Sequence, residues 1–181
     1  MAPCLDCRGR ATNFPSLLPF EGSYLWGLRQ KIGHDLVLTP GAAVAAQRED
    51  GKVLFALRGD DGTWCLPGGA AEAGGSFART AIDELREETG LVARAEDLIP
   101  VACFSEADRH TLHYPNGDVA HYFSMCFLVR RWEGELAPDG EETTELRFAD
   151  PTDLPQPFED STARAVELLL GYLRTGTFQV A

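Results

Sequence analysis

The sequence predicts an α/β sandwich around a mixed β-sheet. Three observations predict it. Short runs rich in Val, Leu, Phe and Ala recur along the chain at strand length. From Ser76 to Thr89 the apolar period changes to that of an amphipathic helix, and a second helical pattern runs from Ser161 to Arg174. The chain has 181 residues, one domain's worth, and no internal repeat or linker divides it. Residues 1–22, with three prolines in the first twenty and little periodicity, are expected to be a poorly ordered lead-in, and residues 23–181 a single domain.

In chain order, Ser23 can cap a short helix carrying Tyr24, Leu25, Trp26, Leu28 and Ile32, with Gly33 as its stop. Asp35 to Leu38 and Ala42 to Gln47 read as strands. The Glu49-Asp50-Gly51 turn leads into Val53 to Arg58, which predicts a hairpin. The loop Gly59 to Thr63 runs into Trp64-Cys65-Leu66-Pro67-Gly68-Gly69. In the central helix Phe77, Ala81 and Leu85 recur every four residues, broadened by Ala78 and Ile82. Ser76 is its expected N-cap and Gly90 its stop. Strands are expected over Leu98 to Ser105, His121 to Arg131 and Glu145 to Phe148, with Asn116-Gly117 as a turn. Prolines 151, 155 and 157 stiffen the loop before the last helix, which carries Ala165, Val166, Leu168, Leu169 and Leu173.

Composition narrows the function. Acids outnumber bases 28 to 16, a formal net charge of −12, which argues against grip on a nucleic-acid polymer, because that grip comes from clustered Lys and Arg. Small phosphate ligands remain open, since a metal ion can bring them to an acidic site. No apolar run approaches the roughly 20 residues that span a bilayer, and Met1 to Arg10 lacks a signal-peptide core. The five scattered cysteines suit free thiols, so a cytoplasmic protein is expected. Cys4 and Cys7 form one CxxC, without the second ligand pair that a zinc ribbon needs.

Chemistry concentrates in the central helix. Glu84, Glu87 and Glu88 stand at i, i+3 and i+4, which puts three carboxylates on one face where like charges repel. Such a face on a surface helix is commonly just solvated. Here it follows a glycine-rich loop, Gly68 to Gly75, and three hard oxygen donors are what Mg²⁺ or Mn²⁺ binds.

The segment resembles the Nudix box, G-x5-E-x7-R-E-U-x-E-E-x-G-U with U aliphatic. It matches at Gly69, Glu84, Leu85, Glu87, Glu88, Gly90 and Leu91, with Leu66-Pro67-Gly68-Gly69 as a similar lead-in. The resemblance covers roughly Leu36 to Leu173. It implies a Nudix-like α/β/α sandwich around a mixed β-sheet, and metal-dependent hydrolysis of a nucleoside diphosphate linked to another moiety. It implies Mg²⁺ or Mn²⁺ held by Glu84, Glu87, Glu88 and the Gly68 carbonyl. The catalytic acids would be Glu87 and Glu88 with a later acid, Glu142 or Glu145, as candidate base. Arg58 and Gly69 would meet the substrate phosphates, and a homodimer is possible. Arg58 is equally readable as a surface arginine at a strand end, and Glu142 and Glu145 as ordinary acids before a strand.

Two positions depart from the pattern: Gly75 replaces its first Glu and Asp83 its Arg. Arg79 and Arg86 lie at helical spacing from Asp83 and can pair with it, and Glu72 can return negative charge from the loop. Family sub-signatures for NADH, ADP-ribose, dinucleoside polyphosphate and coenzyme A substrates are not found, which leaves the nucleotide derivative open. Tyr114 or Phe104 could stack on a base, and the histidines at 110, 113 and 121 could form a second metal site. The alternative to an enzyme is a Nudix-fold nucleotide-binding or regulatory domain with weak or no catalysis, supported by Gly75 and Asp83.

Overall fold

Ten consecutive residues, Val37–Ala46, form the strand β1, and the site is hung from it. The structure is a computed structural model that describes residues 21–114 and 116–181. The Cys4/Cys7 pair and all but the end of the expected lead-in lie outside the described residues. The helix α1, Tyr24–Ile32, starts where Ser23 Oγ accepts the Trp26 N–H at 3.1 Å and stops at Gly33 with φ 62°. Further strands are β2 (Val53–Arg58), β3 (Trp64–Cys65), β4 (Gly68–Ala70), β5 (Ile99–Phe104), β6 (Thr111–His113), β7 (Val119–Val129), β8 (Thr143–Ala149) and β9 (Gln179–Val180). The other helices are α2 (Phe77–Thr89), α3 (Ala107–His110) and α4 (Asp160–Thr175).

The larger sheet runs β4-β1-β7-β5-β9, with β6 added on β7. It is mixed: β1 pairs parallel with β7 and β5 with β9, whereas β4 with β1, β5 with β7 and β6 with β7 are antiparallel. Alternation along β1 and β7 feeds two cores. Val44, Phe127 and Val129 pack with Ala81 and Leu85 of α2, and Ala45, Cys126 and Leu128 pack with Val166 and Leu169 of α4. Helices therefore cover both faces, as an α/β/α sandwich requires. A second, antiparallel sheet, β3-β2-β8, contributes Leu54 to one core and Phe55 to the other. Burying the leucine and phenylalanine side chains of β2 stabilises by about 1.5–3 kcal/mol each relative to exposure.

The expected hairpin does not form. β1 and β2 lie in different sheets, joined only by a single bridge from Gln47 to Val53. β1 already has β4 on one edge and β7 on the other, so no free edge remains for β2. The two strands expected at Asp35 to Leu38 and Ala42 to Gln47 are one strand. Pro40 is tolerated within it because its carbonyl accepts the Ala71 N–H at 2.8 Å, so its missing donor faces the chain just beyond the end of β4. In α2, Phe77 is exposed rather than part of the buried stripe, which is Thr80, Ala81, Leu85 and Thr89. Both α2 ends form as expected: Ser76 Oγ accepts the Arg79 N–H at 3.2 Å, and Gly90 is left-handed with φ 75°. In α4 the cap is Glu159, whose carboxylate accepts the Thr162 N–H at 3.1 Å.

Candidate active site

The edge strand β4 decides where the carboxylates of α2 go. At Gly68 a Cβ would stand 2.8 Å from Ala43 Cα, so only glycine lets β4 approach β1 this closely. At Gly69 a Cβ would stand 2.7 Å from the carboxyl carbon of Glu84. The bare glycine surface is thus the seat of the Glu84 carboxylate. One helical turn on, Glu88 Oε2 accepts the Gly68 N–H at 3.2 Å. The glycine pair and the acidic face are matched parts.

These residues line one cleft of about 500 Å³, which brings together Gly68, Gly69, Glu84, Glu87, Glu88, Arg58 and Glu142 of the sequence-predicted site residues. Arg58 ends β2 at a register slip against β8, where a bulge re-aims the chain. Its guanidinium is held by Asp60 at 3.0 and 2.6 Å, with Asp61 at 3.7 Å. Burial pulls the Arg58 pKa down, but the Asp60 carboxylate outweighs it and holds the group above its ordinary value. Glu142 enters from a turn shaped by Asp139, which accepts the N–H groups of Glu141 and Thr143 at 2.7 and 2.9 Å. The Glu142 carbonyl in turn accepts the Gly59 N–H at 2.8 Å. Glu145 is not in the cleft; it pairs with Arg147 at 2.7 Å on the exposed side of β8.

The electrostatics are those of crowded acids. Burial first, then the charges of Glu142, Glu87 and Asp83, push the Glu84 carboxyl up to about 7. Glu88 is driven well above the usual carboxylate range by burial and by Glu84, against the pull of the Gly68 N–H. Burial, then Asp139, raises Glu142 as well, opposed by Arg58. Neither Glu84 nor Glu88 has a salt-bridge partner among the described residues, whereas Glu87 is paired with Arg86 at 2.6 Å. Among the described residues no three His, Cys, Asp or Glu side chains are gathered closely enough to hold a metal ion by themselves. The Glu84 and Glu88 carboxylates, without salt-bridge partners among the described residues and facing the same glycine strand, with the Glu84 charge raising the Glu88 pKa, are the pair that could contribute oxygen donors to a divalent cation. The three histidines, readable as a second metal site, are not gathered as one among the described residues: His121 Nε2 bonds the Ser105 carbonyl at 2.8 Å, outside the cleft that His110 and His113 line.

The two departures from the box are self-contained. Asp83 is ion-paired with Arg79 and lies 3.8 Å from Arg86. Gly75 donates its N–H to the Glu72 carbonyl at 2.9 Å, closing the loop without a side chain. Glu72 lines the cleft, but its carboxylate accepts the Tyr24 N–H at 2.9 Å and so anchors the start of α1.

The rest of the cleft mixes aromatic, polar and aliphatic residues. Phe104 and Tyr114 are present, as anticipated, together with His110, Tyr122 and Ser124, and α1 adds Leu25 and Arg29. Tyr122 and Ser124 escaped sequence reading because they alternate with outward residues on β7. Their face is known only once β7 is paired with β1 and β5. Asp60 and Arg29 gave no signal at all, being single charges in a loop and on a helix.

The NUDIX domain family model matches residues 37–169, so the chain belongs to the Nudix family. It is 34% identical over 125 residues to an ADP-ribose pyrophosphatase of Methanocaldococcus jannaschii, covering 67% of this chain and 68% of that protein. Among solved structures it resembles a MutT NUDIX hydrolase from Burkholderia pseudomallei, with TM-score 0.62 at 23% identity over 74% of this chain and 98% of that one. It also resembles an ADP-ribose pyrophosphatase from Streptococcus suis, with TM-score 0.55 at 23% identity over 79% and 98% of the two chains. At these identities the structural likeness speaks for the fold.

Proposed function

We propose that this Nudix-family chain is a metal-dependent pyrophosphohydrolase that cleaves the phosphoanhydride of a nucleoside diphosphate derivative, with ADP-ribose the first substrate to try. The observation that carries the proposal is the pair Glu84 and Glu88, set without cationic partners against the glycines of β4. The relative named as an ADP-ribose pyrophosphatase supports the substrate class.

Glu84, Glu88 and the Gly68 carbonyl would hold Mg²⁺ or Mn²⁺, with Glu87 at the exposed side of the same helix. Such an ion supplies Lewis acidity at phosphoryl oxygens and makes water more acidic. The residues do the rest. The bare backbone at Gly69 leaves room for a phosphate close to β4. Arg58, steadied by Asp60, offers positive charge to the diphosphate. Glu142 takes the proton of the attacking water, and its raised pKa brings it toward the range where a general base works near neutral pH. The reaction on ADP-ribose consumes one water and gives AMP and ribose 5-phosphate.

The test is a chromatographic screen of purified protein with ADP-ribose, nucleotide sugars, nucleoside triphosphates and dinucleoside polyphosphates, with Mg²⁺ or Mn²⁺ and with chelator. Turnover that needs the metal supports the proposal. Nucleotide binding without turnover places the chain with the binding or regulatory reading that Gly75 and Asp83 favour.

A further inference from the structure

Tyr114 and Tyr122 both line the cleft, both are half-buried, and their hydroxyls bond each other at 2.9 Å. Each phenol has one proton to give. Only one of the two protons can lie between the oxygens, so the pair keeps one O–H over. Neither hydroxyl has a further partner among the described residues. Burial above all raises both phenols above their ordinary range, so both keep their protons near neutral pH.

Position separates the two. Tyr122 and Ser124 point from β7 to one face of the sheet, and both lie against the bare backbone of Gly41 on β1. A Cβ on Gly41 would stand 3.3 Å from Tyr122 Cδ1, 3.3 Å from Ser124 Oγ and 2.9 Å from the Gly69 carbonyl oxygen. The Tyr122 ring thus converges with Gly69 on one point, and Gly69 is the seat of the Glu84 carboxylate. Tyr114 reaches the pair from the β6–β7 turn, where its backbone bonds Asp118 and Gly117 at 2.9 Å each. The charge of Glu84 acts on Tyr122, and that of Glu159, the cap of α4, acts on Tyr114. Tyr122 is the member on the side of the acidic wall.

An anion in this cleft meets few uncommitted donors. Arg58 is engaged by Asp60 and Asp61, and the Arg29 guanidinium donates to the carbonyls of Gly33, Asp35 and Val119. A phenol O–H adds a donor there without adding a charge.

We propose that Tyr114 donates to the Tyr122 oxygen and that the Tyr122 O–H, left over by this bond and set beside Gly69, donates to a non-bridging oxygen of the substrate's diphosphate. Tyr122 is then a further substrate-binding residue, and Tyr114 positions it. The inference rests on the reading of the cleft as a diphosphate site.

The experiment measures binding of α,β-methylene-ADP, whose bridging carbon resists cleavage, to the full chain with Mg²⁺ by calorimetry. It compares the wild type with Tyr122→Phe and Tyr114→Phe. Both variants keep their rings, and both lose the bond between the hydroxyls. A bond that only braces the fold costs the same from either side. A contact with the ligand makes the two unequal: Tyr122→Phe is expected to weaken binding about tenfold or more, and Tyr114→Phe about threefold or less. Wild-type affinity in Tyr122→Phe, equal losses in the two variants or a larger loss in Tyr114→Phe overturns the inference, as does a wild type that does not bind the probe. A second measurement needs no variant to fold. Donation by a phenol shifts its ultraviolet band to longer wavelength, so the wild type is expected to show a tyrosine difference spectrum beyond the adenine band when the probe binds. Bound probe without that spectrum overturns the inference too. ADP-ribose turnover, followed in parallel, separates the two readings. Its absence beside the selective loss in Tyr122→Phe refutes hydrolysis and leaves the contact standing.

Discussion

The cleft has an acidic wall and an aromatic floor, and the two are assembled in opposite ways. Most of the wall comes from one short stretch, Gly68 to Glu88, a glycine strand and the helix after it, to which Arg58 and Glu142 are added from β2 and the turn before β8. The floor takes Phe104 from β5, His110 from α3, Tyr114 from the turn after β6 and Tyr122 from β7. Local spacing sets the wall, and strand pairing sets the floor. On the proposed function, most of the metal-binding and catalytic acids lie in one motif, while the other lining residues come from distant segments.

If that division holds, damage to the wall stops turnover and spares binding. The largest effect is expected from Glu88→Gln, which keeps an oxygen to accept the Gly68 N–H but removes the charge. kcat for the best substrate should fall by at least about 10²-fold, with the thermal unfolding midpoint unchanged or raised, because a crowded buried charge is gone. Next comes Gly69→Ala. Its Cβ meets the Glu84 carboxyl, so a loss of about tenfold or more in kcat is expected, with about 1–3 kcal/mol of stability lost to overpacking. Wild-type rates in either variant break the comparison.

A smaller, sharper effect lies in pH. Glu84 has a folded pKa of about 7 against an ordinary 4.5. Its proton is held more tightly in the folded protein, so this contribution is complete below 4.5 and is lost as pH rises through about 7. Metal-free protein should therefore lose at most about 3 kcal/mol between those values from this group, at 1.36 kcal/mol per pKa unit. Denaturant melts with chelator at several pH values measure it. Glu84→Gln should flatten the slope, and Mg²⁺ at pH 8 should restore stability to the wild type. The smallest effect is expected at Asp83→Asn. Its pair with Arg79 is a partly exposed i, i+4 contact, worth about 0.3–0.5 kcal/mol. A several-fold change in kcat from that variant would show that the departure from the box reaches the chemistry.

The same division explains what could be read from the sequence. Helix α2 with both its caps, and the acids it presents, were legible because caps, period and carboxylates all lie within one continuous segment. The hairpin expected from the Glu49-Asp50-Gly51 turn failed because a turn signal cannot tell which strand edges are already taken. Here β4 and β7 occupy both sides of β1. Glu142 and Glu145 looked alike in sequence. The Asp139 turn and the slip at Arg58 send the first into the cleft, and the second pairs with Arg147.

On the proposed function, Glu84 and Glu88 hold a divalent cation against the glycine strand. Mn²⁺ binding followed by electron paramagnetic resonance tests it most directly, comparing the wild type with the Glu84→Gln/Glu88→Gln double variant at pH 8. Mn²⁺ should be bound by the wild type and displaced by Mg²⁺, with affinity at least about tenfold weaker in the variant. Equal Mn²⁺ affinity in the two proteins would contradict it.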